Sequence, residues 1–256
     1  MSRVTNYDAV ADGYNVRYRN YDYSQIKEGL ADFLGTDPLS AVLEVGCGTG
    51  YWLKWLAGRA TTVAGVDLSV SMIAQARESG AALARARAES LPWRDASFDR
   101  VLCINALHHF ADRDAFFSEA RRVLKPGGAA MAIGLDPHAL RDTWWIYDYF
   151  PETIAIDRAR YPAVRTIRAD MVSAGFASSE SYEVQTFDHQ MPATRAIERG
   201  LVAPSFSSQL AVLSTEEFEA GVARMRAAIV EAEKSGGELM LASELHLYAV
   251  IGRLTS

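Results

Sequence analysis

The sequence predicts an α/β fold, a mostly parallel sheet with helices on both faces. Between residues 42 and 134, five short apolar runs ("VLEV", "TTVAGV", "ALARAR", "DRVLCIN" and "AAMAIG") are separated by segments of helical periodicity. Strict alternation of this kind builds a parallel sheet, because each strand reaches its neighbour through a helical crossover. At 256 residues and 49% hydrophobic, the chain can also bury one large core. One domain over 1–256 is therefore expected, with N-terminal cap helices in 1–40, a ligand-binding core in 41–135, and later elements in 136–256.

Each element has a local reason. After "VLEV" the glycines of "GCGTG" allow a tight turn, and Leu53 and Leu56 suit a short helix beyond it. Ser69 caps a helix over "SVSMIAQARES". The clearest helix starts at Asp112, carries Phe116, Phe117, Ala120, Val123 and Leu124 on one stripe, and stops at "KPGG". Past residue 134 comes the aromatic "DTWWIYDYFP", then a helix marked by Val164, Ile167 and Met171, then the alternating "SSESYEVQTFDHQ". Ser214 and Glu217 form a capping box ahead of Phe218, Val222, Met225 and Ile229. "ELHLYAVIGRL" closes as a strand, so about 190–240 reads as a helical insertion between the last two strands and a candidate lid.

The net charge of −6 argues against nucleic acid as a partner, since the summed field repels phosphate backbones. No apolar run approaches the length of a membrane span and the N-terminal stretch is polar, so a soluble, cytoplasmic protein is expected, as monomer or homodimer. Its two cysteines, Cys47 and Cys103, have no metal-ligand spacing, and no metal is expected.

The glycine turn fits one class of ligand better than another. A dinucleotide fingerprint needs GxGxxG, but from Gly46 the sixth position is Tyr51 and from Gly48 it is Leu53. Without that third glycine the following helix should stand farther from the strand, which disfavours a diphosphate. Glu44, just ahead of the turn, could attract an ammonium group or orient the loop. Asp67 lies 21 residues beyond Gly46, where an acid grips ribose hydroxyls. These residues ask for a ribose, a cationic or zwitterionic end, and no diphosphate.

Four segments in register, "LEVGCGTG", "VAGVDLS", "AESLPWRDASFDRVLCINALHHF" and "RVLKPGGAAMAIG", resemble class I S-adenosyl-L-methionine-dependent methyltransferases, in the branch of the ubiquinone/menaquinone-type small-molecule enzymes (methyltransferase domain "type 11"). The resemblance implies a Rossmann-like seven-stranded sheet of order 3-2-1-4-5-7-6 with strand 7 antiparallel. It implies that Glu44, Gly46, Cys47, Gly48 and Gly50 line the methionine part of the cofactor and that Asp67 binds its ribose. Leu68 and Met72 would flank the adenine, Ala88 and Glu89 would read its edge, and Asn105 would face the sulfonium. Members commonly carry Asp where this chain has Arg87, which cannot accept from the adenine amine, so Glu89, a carbonyl or water must do so. The segment "YDAVADGYNVRYRNY" resembles a leading helix that covers the cofactor, which makes Tyr14 and Arg17 candidates.

Methyl transfer from a sulfonium needs an aligned acceptor, exclusion of water and, where necessary, a base. His108 and His109 in "ALHHF" are the candidate bases, with His109 favoured and the two side chains expected to point apart. Asp136 and His138 could form a polar rim, and His138, Trp144, Trp145 and Tyr147 are the candidate acceptor-binding residues. His189 and His246 read as structural. The expected reaction is methyl transfer to an O, N or C atom of a small organic molecule, with S-adenosyl-L-homocysteine as product. Rival readings are a tRNA-modifying methyltransferase, a non-catalytic cofactor-binding sensor, and a nicotinamide oxidoreductase.

Overall fold

The computed structural model describes residues 7–255. They divide into two compact units. One, the sheet unit, comprises 23–136, 162–185 and the chain from 247 on; the other, the helical unit, comprises the chain up to Asp22, 137–161 and 186–246.

The sheet unit is built on β1 (Leu39–Val45), β2 (Ala60–Asp67), β3 (Ala82–Arg85), β4 (Phe98–Ile104) and β5 (Leu124–Leu135), all parallel. Two strands follow after β6, a two-residue strand at Thr143–Trp144: β7 (Ser178–Pro192) and β8 (Met240–Arg253). The order is β3-β2-β1-β4-β5-β8, with β7 also paired to β8, and β8 runs antiparallel to β5 from Ala129↔Arg253 to Leu135↔Leu247. With β6 set aside, this is the expected 3-2-1-4-5-7-6 order with its last strand reversed. In the helical unit β6 pairs antiparallel with Ser243 and Glu244 of β8, a short addition the sequence pattern did not announce.

β1 lies between β2 and β4, so both of its faces are covered and six of its seven residues are buried. That is why it reads as an apolar run rather than an alternation. Phe116, Phe117, Ala120 and Val123 of helix Arg113–Val123 join the main core, and Asp112 caps that helix by accepting from the Ala115 amide at 2.9 Å. Ser69 caps helix Val70–Ala76 in the same way, accepting from Met72 N at 3.1 Å. The short helix Tyr51–Leu56 does not stand away from the sheet as its missing third glycine suggested. Gly65 on β2 makes the room instead: a Cβ there would come within 2.7 Å of Leu53 Cδ1 and 3.0 Å of Cys47 Sγ. The glycine that permits close packing has moved from the turn to the neighbouring strand.

In the helical unit, Ser214 and Glu217 form both halves of the capping box of helix Thr215–Lys234. Met225 of the expected apolar face is buried, and Gly221 beside it lets Phe150 approach so closely that a Cβ would meet its ring at 2.1 Å. Helices Ala193–Glu198, Ser208–Ala211 and Thr215–Lys234 together form the expected insertion between the last two long strands.

Candidate functional site

The glycine turn ends β1 at the carboxyl edge of the parallel strands, where open α/β sheets bind ligands. Gly46, Gly48 and Gly50 have φ of +76°, +51° and +80°, the left-handed region that side chains disfavour. The amides of Gly46 and Cys47 both donate to Val66 O, at 2.8 and 3.0 Å, and the Gly50 amide donates to Cys47 O at 3.0 Å. The Gly48 amide donates to Asp67 Oδ2 at 2.9 Å. A phosphate-binding loop aims its amides at the ligand. Here these four are already engaged, so the turn offers bare backbone for close approach rather than a cradle for diphosphate. Gly50 also lets helix Val70–Ala76 in, since a Cβ would lie 3.0 Å from Ala76 Cα.

Asp67, at the end of β2, accepts from Gly48 N through Oδ2 and from Ser69 N at 2.9 Å through Oδ1. Glu44, inside β1, is 1% exposed and its Oε2 has no hydrogen-bond partner. Burial above all, and then the charge of Asp67, holds its carboxyl well above the ordinary carboxylate range. An ammonium group fits that orphaned oxygen, and an added anion does not. Burial also pushes the thiols of Cys47 and Cys103 up, which leaves both protonated and inert.

The expected adenine residues have different surroundings. Leu68 is an exposed apolar side chain, at 53%, whereas Met72 is 1% exposed and belongs to the packing of its own helix. Ala88 is buried in the main core. Glu89 accepts from the amides of Ala111 and Asp112 at 2.8 and 3.2 Å through Oε1, and its Oε2 lies 3.4 Å from Arg87 Nε. The departure at Arg87 thus comes with an ion pair to the acid two residues on. Asn105, at the end of β4, holds φ of +52° while its amide donates to Ile133 O at 2.8 Å. A non-glycine residue in that region costs about 1 kcal/mol. No sequence pattern announces this strain, and it falls where the resemblance places the sulfonium.

His108 and His109 sit in a single 3-10 turn, Leu107–His109, immediately after β4. They do not point apart. Their ring centroids are 3.8 Å apart with the planes tilted by 48°, and both residues are half-buried. A Cβ on Gly46 would come within 2.4 Å of Ala106 Cβ, so the glycine turn and this histidine turn are packed as one piece. Asp136 is buried and accepts from Val164 N at 2.9 Å, anchoring helix Val164–Ser173.

The remaining candidates lie in the helical unit. Arg17 Nη2 donates to Phe206 O at 2.8 Å, its Nε donates to Tyr14 O at 3.2 Å, and its guanidinium carbon stands 3.8 Å from the Tyr14 ring centre. His138 Nε2 lies 2.9 Å from Tyr161 O. Trp144 and Trp145 are buried, Trp145 stacking on Phe206 at 6.4 Å, and Trp144 packs edge-on against Tyr147 at 5.5 Å. The Tyr147 hydroxyl donates to Asp157 Oδ2 at 2.9 Å. Asp157 and its partner Arg160 were not anticipated: an acid and a base three apart on a helix read as a solvated surface pair, yet both are buried. Among the described residues no group of His, Cys, Asp and Glu could hold a metal ion, and no helix is long and apolar enough to cross a membrane.

Residues 43–132 match the family model described as a methyltransferase domain. The chain is 33% identical over 150 residues to the malonyl-[acyl-carrier protein] O-methyltransferase of Erwinia pyrifoliae, covering 56% of this chain and 57% of that one. It is 40% identical over 100 residues to the ubiquinone/menaquinone biosynthesis C-methyltransferase of Acidiphilium cryptum, covering 36% of this chain and 40% of that one. The chain therefore spans about half the length of these curated relatives. A solved structure, described as a methyltransferase from an antibiotic biosynthesis pathway of Anabaena variabilis, aligns with a TM-score of 0.70 at 22% identity, covering 89% of this chain and 96% of that one. At that identity the likeness is one of fold. The strand order and the glycine turn thus lie in the part of the chain, residues 43–132, that matches a methyltransferase domain.

Proposed function

We propose that the chain transfers a methyl group from S-adenosyl-L-methionine to an oxygen, nitrogen or carbon atom of a small organic molecule, releasing S-adenosyl-L-homocysteine. The observation that carries this reading is the buried Glu44, whose Oε2 lacks a partner beside a turn of bare backbone. An amino-acid ammonium gives that oxygen its partner, and Asp67, one strand over and held by the amides of Gly48 and Ser69, would accept from the ribose hydroxyls. Two free, buried cysteines suit a reducing compartment such as the cytoplasm.

The bound cofactor supplies a methyl group already activated on a sulfonium, so the displacement needs alignment more than acid or base chemistry. Glu44, Gly46, Cys47 and Gly48 would hold its methionine part, Asp67 its ribose, and the apolar Leu68 its adenine. His109, or His108 against it, would take the proton an O–H, N–H or acidic C–H acceptor loses. His138, Trp144, Trp145 and Tyr147 are proposed to contact the acceptor, and Tyr14 and Arg17 to cover the cofactor. The decisive experiment incubates the protein with methyl-labelled S-adenosyl-L-methionine and a metabolite extract, then identifies by mass spectrometry what has gained the label. Labelled small molecules together with S-adenosyl-L-homocysteine are the expected result. Label confined to tRNA, or tight cofactor binding with no turnover in any extract, would overturn the reading.

A further inference from the structure

The register of β2 and β3 pairs Asp67 with Arg85, and Ala86 N donates to Asp67 O at 3.2 Å. The chain leaving β3 therefore runs beside the acid proposed above for the ribose. Ser90 N then donates to Arg87 O at 3.2 Å, which closes a turn over 87–90. Next along the chain from Asp67, Leu68 and Val70 are exposed, apolar surface left bare for the face of a flat ring. A base carried on that ribose would lay its face on these side chains and turn its outer edge to residues 87–89. In a purine nucleoside the edge remote from the sugar carries the six-position.

The turn meets that edge with donors. The Arg87 side chain is exposed and its Nε lies 3.4 Å from Glu89 Oε2, while its Nη1 and Nη2 have no partner among the described residues. These two nitrogens are the free end of a planar fork, donors only and charged at every physiological pH. The carboxylate on the same turn is engaged: Glu89 Oε1 takes the amides of Ala111 and Asp112, at 2.8 and 3.2 Å, and Oε2 faces Arg87. A guanidinium fork matches the O6 and N7 acceptors of a 6-oxopurine, whereas adenine sets an amine beside its N7 and is matched by the amide of Asn or Gln. An adenine amine facing Arg87 gains no bond from it and turns to water.

We propose that Arg87 sets the base specificity of the cofactor site, so that the site takes the 6-oxopurine counterparts of its adenosyl ligands as well as those ligands themselves. The proposal rests on the cofactor reading given above and adds to it the group that reads the base. S-inosyl-L-homocysteine, the reaction product with its six-amine replaced by an oxo group, is then a ligand and a competitor of S-adenosyl-L-methionine.

The test titrates the protein by calorimetry with S-adenosyl-L-homocysteine and with S-inosyl-L-homocysteine. Wild type should bind the inosyl ligand within three-fold of the adenosyl one, or more tightly. Arg87→Gln replaces the fork with the amide that matches adenine, and should shift the ratio of the two affinities at least ten-fold towards the adenosyl ligand. A ratio cancels any loss common to both ligands, and Arg87 is exposed, so the variant is expected to fold as wild type does. Arg87→Ala deletes the fork without supplying an amide; it should weaken the inosyl ligand at least five-fold and change the adenosyl affinity less than two-fold. The proposal is overturned if wild type binds the inosyl ligand more than three-fold more weakly than the adenosyl one, or if either variant falls short of its expected shift. Tight adenosyl binding with the inosyl ligand rejected would leave the cofactor reading intact and sink only the role of Arg87. Binding of neither ligand would sink the cofactor reading and this proposal with it.

Discussion

Two sets of polar groups, one in each unit, are held in different ways. Three acids near the carboxyl edge of the sheet unit answer backbone: Asp67 accepts from Gly48 and Ser69, Glu89 from Ala111 and Asp112, and Asp136 from Val164. In the buried cluster of the helical unit, side chains answer one another: Tyr147 with Asp157, Asp157 with Arg160, Tyr161 with Gln209. A carboxylate that caps a turn needs only the right residue at the right spacing. A buried side-chain network needs partners from distant segments to arrive together, and it fails as a unit when one is removed.

The largest test of that contrast is Arg160→Met. It leaves Asp157 buried without its cation and should cost about 3–5 kcal/mol, measured by urea unfolding. Burial already holds Asp157 above its ordinary value, with Arg160 the main group pulling it back down, so the variant's carboxyl can escape by taking a proton. In the variant the folded state then binds a proton that the unfolded state has released. Its stability should therefore fall further as pH rises above the ordinary aspartate value of 3.8. A loss that does not change with pH would mean that the pair is solvated.

In the sheet unit the matching disruption is of backbone. Gly46→Ala combines a φ of +76° with a Cβ that would lie 2.4 Å from Ala106 Cβ, and should cost about 2–4 kcal/mol. Gly80→Ala is the control, since its φ is +73° and nothing lies within 4 Å of the added carbon. It should cost only about 1 kcal/mol, from the backbone alone. Equal losses in thermal melts would show that the close approach of the two turns contributes nothing.

The histidine pair sharpens the comparison within one turn. If His109 takes the acceptor's proton, His109→Ala should lower turnover about 100-fold and flatten the acid limb of the pH–rate profile, with S-adenosyl-L-homocysteine affinity unchanged. The rings are in contact, so His108→Ala should also act, but more weakly. The reverse order would assign the base to His108.

This division explains what was legible in the sequence. The five parallel strands, the caps at Ser69 and Asp112 and the capping box at Ser214 and Glu217 each follow from local chemistry, and each was readable. So was the failure of GxGxxG, although Gly65 supplies the helix contact whose loss that failure seemed to imply, because packing depends on space and not on which strand yields it. The strain at Asn105 was hidden, since Asn is tolerated in many conformations. The burial of Asp157 and Arg160 was hidden for a different reason. Their spacing is that of any surface pair, and only Tyr147 and Gln209, reached through the tertiary fold, show otherwise. Motifs report what one segment does to itself, and the helical unit is made of what segments do to one another.

The smallest expected effect has the most diagnostic sign. Glu44 is the exception in the sheet unit, a buried acid whose Oε2 no backbone group answers, and its carboxyl sits above its ordinary value of 4.5 chiefly through burial. Folded protein therefore keeps a proton there that unfolded chain gives up, and by linkage stability falls as pH rises above 4.5. Glu44→Gln removes this titration. Without ligand it should melt about 2–4 °C higher than wild type at pH 8, as about 1 kcal/mol predicts for a chain of this size, and the gap should close towards pH 5. With ligand the sign reverses. An ammonium group beside Glu44 favours its ionised form, so binding S-adenosyl-L-homocysteine should release a proton and tighten with rising pH. Glu44→Gln should bind at least ten-fold more weakly and release no proton from this site. Calorimetry in two buffers of different ionisation heat measures that proton directly, and equal release from wild type and variant would remove Glu44 from the cofactor site.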